Sequence, residues 1–277
     1  MIVEKEWLLE HYKESDVRVI DCRFQLQNPK LGRQLYDENH IPNSLYFHLE
    51  EDLSSSVLEH GGRHPLPNLS VFKEKLELAG ITNTSIIVAY DTGEMSFASR
   101  LLWMLKYIGH EKAYVLNGGF NGWQKEGYPL DTKVPAFTKS EYTLHIQPNI
   151  LASYEEVKAV SESNDSKTVL IDSREYKRYA GFEEPIDKKP GHIPGAINRP
   201  WTEGIKNGHF LGKEQQLSRF QELNREKEII VYCGSGVTAT PNYVALKQAG
   251  FSNVKVYIGS YSDWVSYPNN PVDKVIE

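Results

Sequence analysis

The sequence predicts an α/β protein made of two tandem copies of one domain, each a mainly parallel sheet flanked by helices. Short β-rich runs alternate with helical patterns along the chain, which is typical of βαβ units. The second half repeats motifs of the first half, which indicates a duplication. The length of 277 residues, with 40% hydrophobic and 25% charged residues, fits about two globular domains.

The internal repeat is visible in several short motifs. Ile-Asp-Cys-Arg at 20–23 matches Ile-Asp-Ser-Arg at 171–174, and His-Ile-Pro occurs at 40–42 and again at 192–194. The glycine-tryptophan segment 118–123 matches 259–264. The offset falls from 152 residues at His-Ile-Pro to 141 at the glycine-tryptophan segment, so the first copy carries about ten extra residues. We assign them to 50–67, and we interpret the repeated histidines and tryptophans as turn and core residues.

The pattern of apolar residues assigns the elements of each copy. A helix capped by Ser70 is predicted in the first copy, and Ser153 with Glu156 three residues later forms the pattern of a capping box in the second. A stretch with two prolines and no sustained period separates the copies. We therefore predict a first domain at 1–131, a linker at 132–150 and a second domain at 151–277. The predicted elements are strands at 17–21, 85–90 and 113–116 with helices at 70–79, 96–108 and around Trp123, then strands at 168–172, 228–232 and 254–257.

Charge and composition bound the kind of partner. The net charge is −6 without a basic run, which argues against nucleic acid and against an acidic membrane surface. The first residues have neither a basic nor an apolar targeting segment, and the two cysteines lie far apart, as expected in a reducing compartment. We expect a cytoplasmic protein that acts on a small molecule.

Residues 233–238, Cys-Gly-Ser-Gly-Val-Thr, join an apolar strand pattern to a helical one. The carboxyl end of a parallel strand is where such sheets present their chemistry. Two glycines allow successive backbone N–H groups to turn toward the Cys233 sulfur, and the helix dipole favours a negative charge there. Thiols at helix N-termini ionise more easily than free thiols, so Cys233 is the candidate nucleophile. The alternative is a small core residue that ends a strand.

Two other kinds of thiolate loop do not fit. A phosphatase-type loop needs an arginine six residues after its cysteine, and that position is Ala239. A zinc site needs further cysteines at short spacing, but the other cysteine is Cys22. We therefore expect neither a metal nor a cofactor.

The loop and its setting resemble the active-site loop of the rhodanese family of sulfurtransferases. Within that family, Cys-Gly-Ser-Gly-Val-Thr resembles the 3-mercaptopyruvate sulfurtransferases, whereas thiosulfate-specific members carry Arg-Lys after the cysteine. The resemblance implies that Cys233 carries sulfur as a persulfide in a two-step transfer. Ser235 would assist the leaving group or cap the helix. The N–H groups that would stabilise the bound sulfur belong to Gly234, Gly236, Val237 and Thr238.

The first copy has Asp91 at the position of Cys233, and a carboxylate cannot carry sulfur. We also expect this loop to lack a ring of inward N–H groups, because Glu-Met-Ser at 94–96 replaces Gly-Val-Thr at 236–238. In the family the inactive N-terminal copy contributes a histidine and an acid to a relay with the loop serine. The resemblance assigns these roles to His64, in Gly-Arg-His-Pro at 62–65, and to Glu50. The alternative is that both are ordinary residues of an exposed loop.

The same resemblance predicts two arginines for the donor's carboxylate. Arg178 matches the first, and arginine is well suited to a two-pronged carboxylate contact. The second falls near Ile186 and is missing, with Lys188 and Lys189 as the nearest substitutes or as solvated lysines.

We therefore expect a sulfurtransferase that moves sulfur from 3-mercaptopyruvate through Cys233 to a thiol or cyanide, with a thioredoxin-like reductant as a further acceptor. The alternatives are a thiosulfate sulfurtransferase and a non-enzymatic sulfur-binding module.

Overall fold

The computed structural model describes residues 1–163 and 167–276, which form two compact units. Unit 1 comprises Met1–Ser55, Leu66–Gln147 and Asn207–Phe210. Unit 2 comprises Ser56–Pro65, Pro148–Lys206 and Leu211–Glu277. Each unit contains a five-stranded parallel sheet with helices around it, so the predicted tandem α/β architecture is confirmed.

Unit 1 has the strand order β1-β5-β4-β2-β3, and every pairing described in it is parallel. Its elements are β1 (Ile2–Val3), α1 (Lys5–His11), β2 (Val17–Asp21), α2 (Leu31–Glu38), β3 (Ser44–Tyr46), α3 (Leu69–Leu78), β4 (Ile86–Tyr90), α4 (Ser96–Tyr107), β5 (Ala113–Leu116) and α5 (Gly119–Lys125).

Unit 2 repeats this order as β6-β12-β11-β7-β8, again with parallel pairings. Short 3₁₀ turns lie at Pro148–Ile150 and Trp201–Gly204, and β10 (His209–Phe210) belongs to unit 1. The other elements are β6 (Leu151–Ala152), α6 (Tyr154–Glu162), β7 (Thr168–Asp172), α7 (Tyr176–Ala180), β8 (Ile197–Asn198), β9 (Ile205–Lys206), α8 (Lys213–Arg219), β11 (Glu228–Tyr232), α9 (Thr240–Gln248), β12 (Val254–Tyr257) and α10 (Ser260–Trp264).

The central strands β4 and β11 are almost continuous apolar runs because helices cover both faces of a parallel sheet. Four of the five residues of each strand are buried. The repeated Ile-Asp-x-Arg motif has a structural role beside them. Asp172 accepts the backbone N–H of Arg174 at 2.9 Å and pairs with its guanidinium, and Asp21 holds Arg23 in the same way. All four side chains are buried, so neighbouring groups must satisfy these charges.

The repeated tryptophans and histidines are core and turn residues, as predicted. Trp123 and Trp264 are fully buried, and each indole N–H donates to a proline carbonyl at 2.8 Å. His40 and His192 each stack on a tyrosine ring and form an isolated bridge with an aspartate later in the chain.

One predicted helix cap is wrong, and one predicted capping box is only half formed. The cap of α3 is Asn68, whose side-chain oxygen accepts the Ser70 N–H at 2.8 Å, so Ser70 is not the capping residue. Ser153 does cap α6, accepting the Glu156 N–H at 3.1 Å. The Glu156 carboxylate pairs with Lys255 instead of returning to the cap, and the capping box is therefore incomplete.

In the part of the chain that the structure describes, no helix combines the length and apolar character needed to cross a membrane.

Candidate active site

Cys233 follows the last residue of β11 and is 1% exposed. The Gly236 N–H donates to its sulfur at 3.2 Å, as a loop that holds a thiolate requires. The carbonyls of Cys233 and Gly234 accept N–H groups of Tyr261 and Ser262 at 2.9 Å, which fixes the loop against α10. The loop ends where α9 begins at Thr240.

Gly236 has no room for a side chain. Its φ is +75°, and a β-carbon there would lie 2.3 Å from the Ile258 carbonyl oxygen. Both the left-handed backbone and the close approach therefore require glycine. Val237 is 5% exposed, and its carbonyl accepts the Thr240 N–H at 3.1 Å, so the segment through Thr238 leads directly into the helix.

Ser260 is a site residue that the sequence analysis missed. Its hydroxyl accepts the Cys233 N–H at 3.1 Å and lies 4.0 Å from the Cys233 sulfur. Ser260 has a φ of 57°, which is unfavourable for a residue with a side chain. Gly119, its counterpart in the glycine-tryptophan repeat, has a φ of 55°. The sequence contains one signal for this role. Position 260 is serine, whereas the equivalent position 119 in the first copy is glycine.

Ser235 and His64 form a direct pair. The His64 Nδ1 atom lies 2.8 Å from the Ser235 hydroxyl oxygen, and the residues are 4% and 8% exposed. His64 reaches this position because segment 56–65 belongs to unit 2. The structure thus brings together three of the predicted residues, Cys233, Ser235 and His64.

The segment that carries His64 is anchored by α10 and the residues after it. The Gly61 N–H donates to Asp263 Oδ1 at 2.7 Å, and the Arg63 N–H donates to Ser262 Oγ at 3.1 Å. The His60 ring stacks on Tyr267 with 3.9 Å between ring centroids. These anchors involve residues about 200 positions apart, which no local pattern indicates.

Two arginines lie beside the loop. A β-carbon on Gly234 would be 2.9 Å from Arg63 Nη2 and 3.6 Å from both Nη atoms of Arg178. Arg178 donates to Asp187 Oδ2 at 2.8 Å and to Glu184 Oε1 at 2.7 Å, and Arg63 pairs with the other oxygen of Asp187. Arg63 therefore places a second guanidinium beside the loop, whereas position 186, where a second arginine was expected, holds isoleucine.

The residues at 186, 188 and 189 differ in their surroundings, and a role for either lysine in place of the second arginine stays a prediction. Ile186 is 52% exposed, and the Lys189 ammonium donates to the Pro268 carbonyl at 2.9 Å. Lys188 lines a cleft next to Arg63. Glu50 is exposed in unit 1, where its N–H donates to His48 Nδ1 at 3.2 Å, and its part in a relay stays a prediction.

The first copy retains a ring of inward N–H groups, contrary to the expectation from its sequence. The Asp91 carboxylate accepts N–H groups of Gly93 and Met95 on one oxygen, at 3.1 and 2.8 Å. Its other oxygen accepts those of Phe97 and Ala98, both at 3.1 Å. The carboxylate therefore fills the cradle as an internal anion. The ring keeps one glycine, Gly93, at a φ of +141°, and its other three donors belong to residues with side chains, so Glu-Met-Ser at 94–96 does not abolish it.

Over residues 1–163 and 167–276, no group of three His, Cys, Asp or Glu side chains is arranged to hold a metal ion.

Comparison with known proteins gives consistent results. The family model described as the rhodanese-like domain matches residues 4–126 and 153–267. A probable 3-mercaptopyruvate sulfurtransferase of Pseudomonas aeruginosa is 36% identical over 277 residues, covering 98% of this chain and 97% of that protein. A thiosulfate sulfurtransferase of Gallus gallus is 31% identical and covers 95% of this chain and 92% of that protein. The crystal structure of SseA from Escherichia coli, described among 3-mercaptopyruvate sulfotransferases, matches with a TM-score of 0.83 at 31% identity, over 94% of this chain and 98% of that one.

Proposed function

The chain belongs to the rhodanese-like family and is a sulfurtransferase, and from this starting point we propose that its preferred sulfur donor is 3-mercaptopyruvate. The observation that carries the proposal is the contact of 2.8 Å between Ser235 and His64. Ser235 lies in the loop of Cys233, directly after Gly234. The two donors differ in whether their leaving group needs a proton, and this pair can deliver one.

The first step is attack of the Cys233 thiolate on the donor sulfur. The sulfur–sulfur bond forms and the carbon–sulfur bond of mercaptopyruvate breaks, so the electron pair of that bond leaves as the enolate of pyruvate. A proton then converts the enolate to pyruvate, and the outer sulfur stays on Cys233 as a persulfide. Sulfite, which leaves from thiosulfate, needs no such proton at neutral pH.

Ser235 and His64 are suited to handle that proton. A hydroxyl within hydrogen-bond distance of an imidazole can donate to the forming enolate while the imidazole replenishes it, which is general acid catalysis. The Gly236 N–H, which donates to the sulfur at 3.2 Å, would stabilise the negative persulfide. The N–H groups of Gly234, Val237 and Thr238 are proposed as further donors to the bound sulfur, and Glu50 remains the proposed acid of the relay.

Arg178 is the proposed partner of the donor carboxylate, since it lies beside Gly234 and arginine binds carboxylates through two parallel hydrogen bonds. The second step passes the outer sulfur to a thiol or cyanide, and a thioredoxin-like reductant is part of the same proposal. Cys22 and Cys233 are both free thiols, which supports a reducing, cytoplasmic compartment.

The experiment is a steady-state comparison of both donors with one thiol acceptor. We expect kcat/KM for 3-mercaptopyruvate to exceed that for thiosulfate by at least about tenfold, or about 1.4 kcal/mol in transition-state binding. Equal or better turnover of thiosulfate would overturn the assignment.

A thiosulfate sulfurtransferase is the second candidate. The observation in its favour is that two guanidinium groups, of Arg63 and Arg178, adjoin Gly234, and cations beside the thiolate would attract a dianion. The Ser235–His64 contact has no evident task with that donor, which is why we place this candidate second.

A further inference from the structure

Segment 184–187 places two carboxylates in the interior of unit 2. The side chains of Glu184 and Asp187 are 2% and 1% exposed, whereas Ile186 between them is 52% exposed. The backbone N–H groups of Ile186 and Asp187 donate to Glu184 Oε1 at 3.1 and 2.9 Å, so the segment turns tightly around that carboxylate. The turn directs Asp187 inward at the point where the sequence analysis expected an arginine.

Asp187 bridges the two arginines beside the catalytic loop. One carboxylate oxygen pairs with Arg63, and the other accepts a hydrogen bond from Arg178 at 2.8 Å. Each guanidinium would also be close to a β-carbon on Gly234. A carboxylate of the protein thus already makes the contact with both arginines that a bound anion would make.

The charges around this bridge balance. The connected group contains three guanidinium groups, of Arg63, Arg174 and Arg178, and three carboxylates, of Asp172, Glu184 and Asp187. All three carboxylates are buried, so solvent screens them little. Within this ion-paired group, the two arginines at the loop therefore present hydrogen-bond donors without an excess positive charge, while Lys188 and Glu59, of opposite charge, line the cleft outside the group.

We propose that Asp187 sets the donor selectivity of the enzyme by neutralising the Arg63–Arg178 pair, so that the site accepts a monocarboxylate and disfavours a dianion. The proposal rests on the proposed function, because it concerns the choice between the same two donors. A donor with one negative charge can exchange hydrogen bonds with the pair. A dianion next to a thiolate would need the excess positive charge that Asp187 cancels.

The bridge is accessible to small anions. Arg63 and Asp187 line a cleft of about 220 Å³, and the Arg63 side chain is 31% exposed. A change of charge at Asp187 would therefore change the electrostatic energy of an anion bound at the Arg63–Arg178 pair.

The test is Asp187→Asn, which keeps the shape and one acceptor oxygen but removes the charge. We expect the ratio of kcat/KM for thiosulfate to kcat/KM for mercaptopyruvate to rise at least about tenfold, with a steeper loss of thiosulfate turnover as salt increases. Asp187→Glu restores the charge and should keep a ratio close to that of the wild type. The matched control is Asp37→Asn, which removes the same charge from an exposed arginine–aspartate pair of unit 1 and should leave the ratio unchanged.

If the thiosulfate-to-mercaptopyruvate ratio of kcat/KM in Asp187→Asn stays within about twofold of the wild-type ratio, the proposal is overturned. An equal loss of kcat/KM with both donors also overturns it, because such a loss indicates a structural role only. If turnover is too low to measure, binding of sulfate and of pyruvate to Cys233→Ala proteins with and without Asp187→Asn gives the same comparison. Tighter sulfate binding with unchanged pyruvate binding supports the proposal, and unchanged sulfate binding overturns it. The donor preference of the wild type is a separate measurement, so either proposal can fail without the other.

Discussion

The Nδ1 atom of His64 lies 2.8 Å from the hydroxyl oxygen of Ser235, although the two residues are 171 positions apart. This contact places a hydroxyl within hydrogen-bond distance of an imidazole, two residues after Cys233, which is the arrangement that the proposed proton transfer needs. Another histidine–serine contact lies in the same segment, between His60 Nδ1 and Ser266 Oγ at 2.7 Å. The two pairs are chemically alike, and only the first involves the loop of Cys233.

Removing the Ser235–His64 pair should separate the two donors. We expect Ser235→Ala and His64→Asn each to lower kcat with mercaptopyruvate by about 10²-fold, because the enolate loses its proton donor. The effect with thiosulfate should be much smaller. The double variant should be little worse than either single one, since the two residues act as a unit.

His60→Asn is the matched control for this prediction, because it removes the second pair from the same segment. Because His60 also anchors the segment that carries His64, we expect a loss with mercaptopyruvate much smaller than that of His64→Asn. A parallel loss with both donors in Ser235→Ala would indicate that the hydroxyl serves only the structure of the loop.

Cys233 alone should carry sulfur. Cys22 is 1% exposed, and burial, together with the charges of Asp21, Asp91 and Asp52, raises the pKa of its thiol well above its usual value. A protonated, buried thiol is a poor nucleophile. After incubation with donor, peptide mass spectrometry should find one added sulfur on Cys233 and none on Cys22. Cys22→Ser should keep its turnover, and transfer by Cys233→Ser with sulfur on Cys22 would contradict the mechanism.

The first copy should not gain activity through Asp91→Cys in a Cys233→Ser background. The inward N–H groups are present, but Gly93 stands where the active loop has Ser235, so that position lacks a hydroxyl. The single sulfur of the introduced cysteine also cannot accept all four N–H groups that the two Asp91 oxygens accept. We expect a loss of stability on the order of 2–3 kcal/mol, measured by urea denaturation, and no transfer.

Asp91→Asn provides the comparison for stability, because it keeps one acceptor oxygen. Measurable sulfur transfer by the introduced thiol would show that the cradle alone is sufficient for catalysis.

Glu94 should make stability depend on pH. Burial, and then the charge of Asp91, raises the pKa of Glu94 to about 8. Between its ordinary value and about 8 the folded protein holds a proton that the unfolded chain releases, so stability falls as pH rises, by at most about 1.4 kcal/mol per pH unit. Glu94→Gln should flatten this slope and be more stable than the wild type at pH 9 in urea denaturation. Glu10→Gln, on an exposed site of α1, should leave the slope unchanged.

The predictable part of the structure follows from local patterns. The apolar runs of β4 and β11 and the repeated motifs indicate the tandem parallel sheets, and the position after β11 indicates Cys233. The capping of α3 was misassigned because Asn68 and Ser70 are both good capping residues and lie two positions apart.

The remaining part of the site depends on contacts between distant positions. Arg63 pairs with Asp187, which lies 124 positions later in the sequence. The Gly61 N–H donates to Asp263, which lies 202 positions later. Each of these residues looks like an ordinary surface residue in the sequence. Their roles follow from the turn at Gly62, where a β-carbon would lie 2.3 Å from the Gly259 carbonyl oxygen and φ is +82°.

Unit 2 includes Ser56–Pro65, a segment that precedes β4 of unit 1 in the sequence. A gene truncated to begin at Pro148 would encode Cys233 but neither His64 nor Arg63. Because Ser56–Pro65 lies between β3 and β4 of unit 1 in the sequence, no single cut of the chain separates unit 2 from the first copy. A chain without the first copy would need another segment to provide these ten residues of unit 2.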